Sequence, residues 1–310
     1  MGSRHSKPHI AWIASLLVSA ASLAGSTGIA APTPQKTTSD AGKPSLRPST
    51  IRVLSSSDHV LFQKAFAAAA KGDWTAAVRL GNQGKDTTAR QLLQWRYALD
   101  QGSGATFAEI DAVMKLAAAW PLKAALQARA EAAITPGMRP AEIIAWFANH
   151  EPVSSIGRIR LGEALVASGD TAKGGALIAR GWAEGSFDDF TENQVRGQDG
   201  AYLTPESERA RLDNLIWRGD NADAKRQMAR VDAKSAAIAR ARILLDGGTK
   251  AARAALAAVA DSSDPALLYD RARALRAEHQ DDQAHALLMR IPPATLARDH
   301  TARWWAEISV

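Results

Sequence analysis

Apolar residues follow a helical period from about residue 58 onward. After Asp58 they recur at three- and four-residue spacing, at Val60, Leu61, Ala65 and Ala68. That spacing places side chains on one face of an α-helix. We expect Asp58 to cap the first helix, because aspartate at such a position accepts hydrogen bonds from free backbone amides. No segment alternates apolar and polar residues over a length that would predict a β-strand.

Short turns divide this pattern into pairs of helices. A two-residue stop precedes the second helix of each pair, at Gly72-Asp73, Gly169-Asp170, Gly219-Asp220, Gly247-Gly248 and Asp281-Asp282. The near side of each second helix is rich in alanine, as at Ala172 and Ala176. Alanine allows two helices to approach closely, which is typical of tetratricopeptide-like repeats. Because the stops are irregularly spaced, we predict an all-α fold, an α-superhelix (solenoid) of degenerate tetratricopeptide-like helix pairs.

Prolines mark further helix boundaries. Thr204-Pro205 and Asp264-Pro265 each place a capping residue before a proline. The fixed φ of proline suits the first turn of a helix, where its missing N–H costs nothing. We therefore expect helices to begin at both dipeptides.

The N-terminus has the pattern of a secretory signal peptide. Arg4 and Lys7 precede an apolar stretch at residues 10–23, and small residues lead to a predicted cleavage after Ala30. The stretch is shorter than a membrane span needs, so we expect no stable membrane insertion after cleavage. Residues 1–30 are thus predicted to be a signal peptide, which implies a periplasmic location. Residues 31–57 are rich in Pro, Ser and Thr and are predicted to be a flexible linker.

Charge and composition narrow the function classes. The net charge is +6, and removal of the predicted leader with Arg4 and Lys7 leaves about +4. The basic residues are scattered over helices, which argues against a nucleic-acid partner. A mildly basic surface suits an anionic polymer such as a glycan strand, although solvated helix faces explain the same charges. The chain has no cysteine, so neither a disulfide framework nor a lipid-attached cysteine is expected.

Few residues have the type and spacing expected of a metal, cofactor or catalytic site. His279 and His285 are six apart and fall on different helix faces, so we predict no metal site. No glycine-rich phosphate loop or nucleophile motif occurs, and we predict no cofactor site and no catalytic residue. An acid–base pair is conceivable among Asp188, Asp189 and Glu192. We interpret these residues, like Asp281-Asp282, as acidic first-turn residues that the helix dipole favours.

The nine tryptophans allow two interpretations. Six have helical contexts with apolar neighbours, and these are Trp74, Trp95, Trp146, Trp182, Trp217 and Trp304. Packing between helices is the expected role for most of them, although an exposed ring can stack on a sugar. Trp120-Pro121 and Trp304-Trp305 are the better candidates for partial exposure.

Several segments together resemble the N-terminal α-superhelical region of the soluble lytic murein transglycosylases, in their alphaproteobacterial form. Those segments are Leu92-Leu93-Gln94-Trp95, Trp120-Pro121-Leu122, Ala128-Arg129-Ala130-Glu131, Ala145-Trp146-Phe147, Pro152-Val153-Ser154, Gly157-Arg158, Arg160-Leu161-Gly162-Glu163-Ala164-Leu165, Leu203-Thr204-Pro205-Glu206, Arg211-Leu212-Asp213 through Trp217, Ala239-Arg240-Ala241-Arg242, Tyr269-Asp270-Arg271-Ala272-Arg273 and Trp304-Trp305. The resemblance extends over most of residues 58–310, and the order and spacing of the segments make it specific.

The resemblance implies a periplasmic protein that acts on peptidoglycan. Enzymes of that family cleave the bond between N-acetylmuramic acid and N-acetylglucosamine and leave a 1,6-anhydromuramoyl end. Their catalytic glutamate lies in a C-terminal lysozyme-like domain, within a Glu-Ser motif followed by a glycine-rich segment. No such motif occurs before Val310, so no family catalytic residue can be assigned here. We expect residues 58–310 to be the superhelical domain of a chain truncated before its catalytic domain.

The leading hypothesis is a superhelical scaffold that positions peptidoglycan glycan strands, with other cell-wall enzymes as further possible partners. One alternative is a stand-alone periplasmic tetratricopeptide-like adaptor that binds proteins. Another is an enzyme whose site lies within the superhelix and has no recognised motif.

Overall fold

The computed structural model describes residues 54–116, 119–292 and 295 of the 310-residue chain. The predicted signal peptide, most of the predicted linker and Trp304-Trp305 lie outside the described residues. Two short 3-10 helices occur, at Gly200–Tyr202 and Met228–Arg230. The α-helices are α1 (Ser56–Ala70), α2 (Trp74–Gly81), α3 (Thr87–Leu99), α4 (Phe107–Leu116), α5 (Lys123–Ala132), α6 (Pro140–Phe147), α7 (Ser155–Ala167), α8 (Thr171–Glu184), α9 (Asp189–Asp199), α10 (Pro205–Arg218), α11 (Asn221–Gln227), α12 (Ala233–Leu245), α13 (Thr249–Ala257), α14 (Pro265–Ala277) and α15 (Asp281–Leu288).

The described residues contain helices and no β-strand, which confirms the predicted all-α class for this part of the chain. Both proline-marked starts are also confirmed. Thr204 Oγ1 accepts the N–H of Ser207 at 3.2 Å before α10, and Asp264 Oδ1 accepts the N–H of Leu267 at 2.8 Å before α14. Within the same ranges, no helix combines the length and apolarity that a membrane span requires.

Helix α1 begins at Ser56, before the predicted cap. Ser55 is the N-cap, and its Oγ accepts the N–H of Asp58 at 3.1 Å. The predicted cap at Asp58 is wrong because this buried carboxylate has other partners. It accepts the N–H of Lys85 at 2.8 Å and that of Asp86 at 3.1 Å. Asp58 thereby ties α1 to the start of α3, and the predicted linker loses its last two residues to α1.

The turns between paired helices share one backbone geometry. Gly72, Gly169 and Gly219 have φ angles of 78°, 96° and 81°, a left-handed conformation that glycine adopts without steric cost. After each glycine, the next N–H donates to a carbonyl five residues earlier, which closes the preceding helix. His279 takes this place before α15, with a φ of 60°. The predicted stop at Asp281-Asp282 is therefore wrong, because both aspartates already belong to α15, where the dipole favours them.

Among the described helices, extensive contacts join only sequence neighbours or helices one helix apart. Direct pairs include α1/α2, α7/α8, α12/α13 and α14/α15, while α8, α10, α12 and α14 pack in succession. The buried apolar residues accordingly form several local clusters along the described chain. Such local packing is characteristic of repeat proteins, in which each unit contacts its neighbours.

Helices α7 and α8 approach each other through glycines. A Cβ on Gly174 would lie 2.5 Å from the carbonyl oxygen of Gly162, and a Cβ on Gly162 would lie 2.7 Å from that of Gly174. Further along, a Cβ on Gly181 would lie 2.6 Å from the carbonyl oxygen of Ser155. These pairings show that the two helices run antiparallel, with no space for a side chain at the closest points.

The alanine stripe predicted for α8 does not face α7. Ala172 and Ala176 are exposed, and the buried positions are Gly174, Ile178, Gly181 and Trp182. This prediction is wrong because the helices are too close for a methyl group where they meet. In other second helices the alanine prediction is confirmed in part, since Ala77, Ala224, Ala252 and Ala284 are completely buried while Ala222 and Ala251 are exposed.

We expect Gly174→Ala to lower the free energy of unfolding by about 2 kcal/mol, as overpacking of a rigid interface does. The new methyl group would meet the Gly162 carbonyl and the backbone nitrogen of Val166, which move only if a helix shifts. Gly197→Ala in α9 is the matched control, because a Cβ there has no heavy atom within 4 Å. That control should stabilise the chain by about 0.5–1 kcal/mol. Urea unfolding followed by circular dichroism measures both, and equal effects would contradict the prediction.

Candidate functional site

Two of the acidic residues considered for acid–base chemistry serve the start of α9. Asp188 is its N-cap, and Oδ1 accepts the N–H of Thr191 at 2.8 Å. Hydrogen bonding from Thr191 lowers the pKa of Asp188. Asp189 is exposed and pairs with Arg226 at 2.9 Å. The structure thus confirms the first-turn interpretation for Asp189, whereas Asp188 precedes the first turn as its N-cap.

Glu192 is different, because it is buried among arginines. Its carboxylate pairs with Arg230, with Arg211 at 3.3 Å and with Arg196 at 3.8 Å. Burial acts to raise the pKa of Glu192, but Arg230 and Arg211 outweigh burial and lower it. A carboxylate held ionised in this way links α9 to α10 and the 3-10 helix at Met228–Arg230, and is poorly suited to donate a proton.

Most described tryptophans pack between helices, as predicted. Trp74, Trp182 and Trp217 are buried, while Trp95 and Trp146 are half-buried. Trp182 lies under Arg211, whose guanidinium carbon is 4.1 Å from the ring centroid, and its Nε1 donates to Glu208 at 3.1 Å.

The predicted partial exposure at Trp120-Pro121 is confirmed. Trp120 is half-buried and Pro121 is exposed. The Trp120 ring nevertheless contacts Trp95 edge-on, with centroids 5.8 Å apart. Part of its surface is thus already used in packing.

Two of the described histidines, His279 and His285, lie close together in sequence. His279 occupies the left-handed turn before α15, and His285 lies within α15. In the part of the chain that the structure describes, no three histidine, aspartate or glutamate side chains are grouped to hold a metal ion.

A polar cleft of about 360 Å³ lies between α10, α12 and α14, and we call it the arginine cleft. Sequence reasoning missed it because its members come from three helices that are distant in the chain. Its lining consists of Ile216, Trp217, Arg218, Gly219, Arg242, Asp246, Tyr269, Asp270 and Arg273. Its volume lies within the range of sites for small molecules.

A buried arginine organises the arginine cleft. Arg242 Nε donates to Asp270 at 2.7 Å and Nη1 donates to Asp213, whereas Nη2 has no acceptor among the described residues. Burial acts to lower the pKa of Arg242, but Asp213 and Asp270 outweigh burial and raise it. The guanidinium therefore keeps its charge inside the protein.

The exposed side of the arginine cleft can contact a ligand. Arg273 donates to Asp246 at 2.8 Å, and these side chains are 49% and 52% exposed. Trp217 and Tyr269 are buried and offer little stacking surface: the Trp217 ring lies under Arg242, and the Tyr269 ring packs against Trp217. Arg218 and Arg273 are the exposed guanidinium groups of the lining, and such donors suit a ligand rich in hydroxyl or carboxylate oxygens.

A second cleft, of about 240 Å³, lies between α6, α7 and the end of α9, and we call it the carboxyl cleft. Arg160 Nη1 donates to both oxygens of Glu163, at 2.8 and 2.9 Å. Asp199 is 5% exposed, and its Oδ2 accepts no hydrogen bond from any described donor. Burial, followed by the charge of Glu163 and a hydrogen bond with it, raises the pKa of Asp199 from 3.8 to about 7.

Sequence reasoning also missed this carboxyl pair. Glu163 lies in α7 and Asp199 ends α9, so only packing brings them together. One local signal was present, because an aspartate at a helix C-terminus is disfavoured by the helix dipole.

Over the described residues, the chain is a series of locally packed helix pairs with two clefts that contain buried charged side chains. Comparison with known proteins finds no matching family model, no similar curated protein and no similar solved structure.

Proposed function

We propose that this chain is the superhelical, substrate-positioning part of an exported peptidoglycan lytic transglycosylase. The observation that carries the proposal is the arginine cleft, whose guanidinium donors suit the hydroxyl and carboxylate oxygens of a glycan strand. The stacking of helix pairs on their sequence neighbours supports the proposal, since a solenoid presents an extended surface to a long polymer.

The residues of the arginine cleft support the same assignment. Trp217, Arg242, Tyr269, Asp270 and Arg273 all come from segments on which the resemblance to the family rests. In this sequence those segments build both the packing of α10, α12 and α14 and the lining of one cleft.

The proposed role of the arginine cleft is to bind, not to cleave. Asp246 pairs with Arg273, and Asp270 pairs with Arg242. Each carboxylate thus holds a guanidinium group in place, and the outer arginine is left half exposed for ligand oxygens.

Co-sedimentation with purified peptidoglycan sacculi tests this function. We expect the wild-type chain to sediment with the sacculi and Arg273→Ala to weaken binding about tenfold, which corresponds to about 1.4 kcal/mol. Arg180→Ala is the matched control, because Arg180 is an exposed arginine of α8 outside the cleft lining. We expect no release of soluble anhydromuramoyl fragments.

Two outcomes would contradict the proposal. The wild-type chain would fail to sediment, or Arg273→Ala and Arg180→Ala would weaken binding equally. If the chain binds a cell-wall enzyme but does not sediment with the sacculi, the result favours the hypothesis of a protein-binding adaptor instead.

A further inference from the structure

The carboxyl cleft combines a buried carboxylate oxygen without a donor and an apolar wall. Asp199 lines this cleft, and no described N–H or O–H group donates to its Oδ2. The wall is formed by side chains such as Ile134, Met138, Ile143 and Ala164. A buried acceptor of this kind costs free energy unless a proton or a ligand supplies the missing donor.

The charges that line the carboxyl cleft favour a cation. Arg160 and Glu163 from α7 neutralise each other, so deprotonation of Asp199 leaves one net negative charge. The lining residues from α6 and from the loop before it carry no charge. Arg160 Nη1 donates to Glu163, while its Nε has no acceptor among the described residues, so one guanidinium group faces two carboxylates.

We propose that the carboxyl cleft binds a primary alkylammonium group, with the ammonium at Asp199 and the carbon chain against the apolar wall. An ammonium is a compact charge with three N–H donors, which suits one unpartnered oxygen beside a second carboxylate. A divalent metal ion fits less well, since no group of three ligating side chains occurs in the described part of the chain. The ammonium can belong to a small aliphatic amine or to a lysine side chain.

Binding of an ammonium competes with a proton on Asp199. Below about pH 7 the carboxyl is protonated and must release its proton before the cation binds. Affinity therefore rises about tenfold per pH unit below this value and levels off above it. The charged groups facing Asp199 are Arg160 and Glu163, both from α7.

Calorimetric titration of the full chain with n-butylamine tests the proposal, with n-butanol as the uncharged comparison. We expect the amine to bind, the alcohol to bind at least about tenfold more weakly, and the amine to release close to one proton at pH 6. Nα-acetyllysine amide serves as a second ligand. If Nα-acetyllysine amide binds more tightly than n-butylamine, the natural source of the ammonium is a lysine side chain. If Nα-acetyllysine amide does not bind, the natural source is a free amine.

Two variants make the test specific. Asp199→Asn should abolish amine binding and its pH dependence, whereas Asp189→Asn, an exposed aspartate of the same helix, should leave both unchanged. Equal affinity for amine and alcohol, or amine binding retained by Asp199→Asn, would overturn the proposal. So would an Asp199 carboxyl whose NMR titration midpoint stays unchanged in saturating amine. Because sacculus binding concerns the other cleft, failure of either test leaves the other intact.

Discussion

Arg211→Met is expected to lower the free energy of unfolding by about 3–5 kcal/mol, the cost of removing one partner from a buried ion pair. The Arg211 side chain is wholly buried, and Nη1 donates to the Gly185 carbonyl at 2.7 Å. Nη2 pairs with Glu192, and the guanidinium covers the Trp182 ring. Methionine fills much of the volume but leaves the Gly185 carbonyl and one Glu192 oxygen without their donor.

Arg211 also donates a hydrogen bond to a carbonyl at the C-terminal end of α8. Arg211, Asn214 and Arg218 of α10 donate to carbonyls in the last turn of α8, at Gly185, Ala183 and Glu184. Because the C-terminus of a helix carries partial negative charge, cationic donors stabilise it. Loss of Arg211 should therefore weaken the packing of α10 against α8.

Chemical denaturation followed by tryptophan fluorescence measures the effect of Arg211→Met. Arg180→Met is the matched control, since Arg180 of α8 is 62% exposed and pairs with Glu184 on the surface. Exposed pairs contribute at most about 1 kcal/mol, so the control should change stability little. If both variants lower the free energy of unfolding by similar amounts, the burial of Arg211 does not account for the loss.

The folded chain is expected to lose about 2–3 kcal/mol of stability between pH 5 and pH 8 because of Asp199. The pKa of Asp199 is about 7 in the folded state, against an ordinary value of 3.8. Within this window the folded state retains a proton that the unfolded state has already released. The stabilising contribution is complete below about pH 4, falls as the pH rises toward 7, and changes no further above that value.

Asp199→Asn isolates this contribution, because an amide stays neutral at every pH. The variant should match or exceed the wild type at pH 8, and the difference between them should shrink or reverse toward pH 5. Asp189→Asn should follow the wild-type pH dependence. The pKa values of Glu192 and Asp111 are lowered, so both groups titrate below the window, and burial raises the pKa of Asp270 equally in wild type and variant, so its effect cancels in the difference. Parallel wild-type and Asp199→Asn stability curves, measured by urea unfolding, would contradict the prediction.

Local features of the chain were predicted best. The proline-marked starts at Thr204 and Asp264 and the glycine stops at Gly72, Gly169 and Gly219 occur as expected. Each depends on the backbone preferences of one or two residues, which act within a single turn. Asp189 was interpreted correctly as a first-turn residue for the same reason.

Two predictions failed because a side chain or a helix face has its partner far along the chain. Asp58 resembles a helix cap, yet it accepts amide hydrogens at Lys85 and Asp86. The alanines of α8 suggested a packed face, but glycines form it because α7 lies too close. Neither outcome is visible in local spacing, since each depends on the position of another helix.

The amino-acid sequence by itself determined that the described chain is helical and where many of its helices begin and end, because periodicity, caps and glycine turns act over a few residues. Only the tertiary structure decided which polar side chains have unusual chemistry. Asp199 and Arg242 look like ordinary surface residues in the sequence. Their burial, and partners contributed by other helices, give Asp199 a pKa near neutrality and hold Arg242 charged within a cleft.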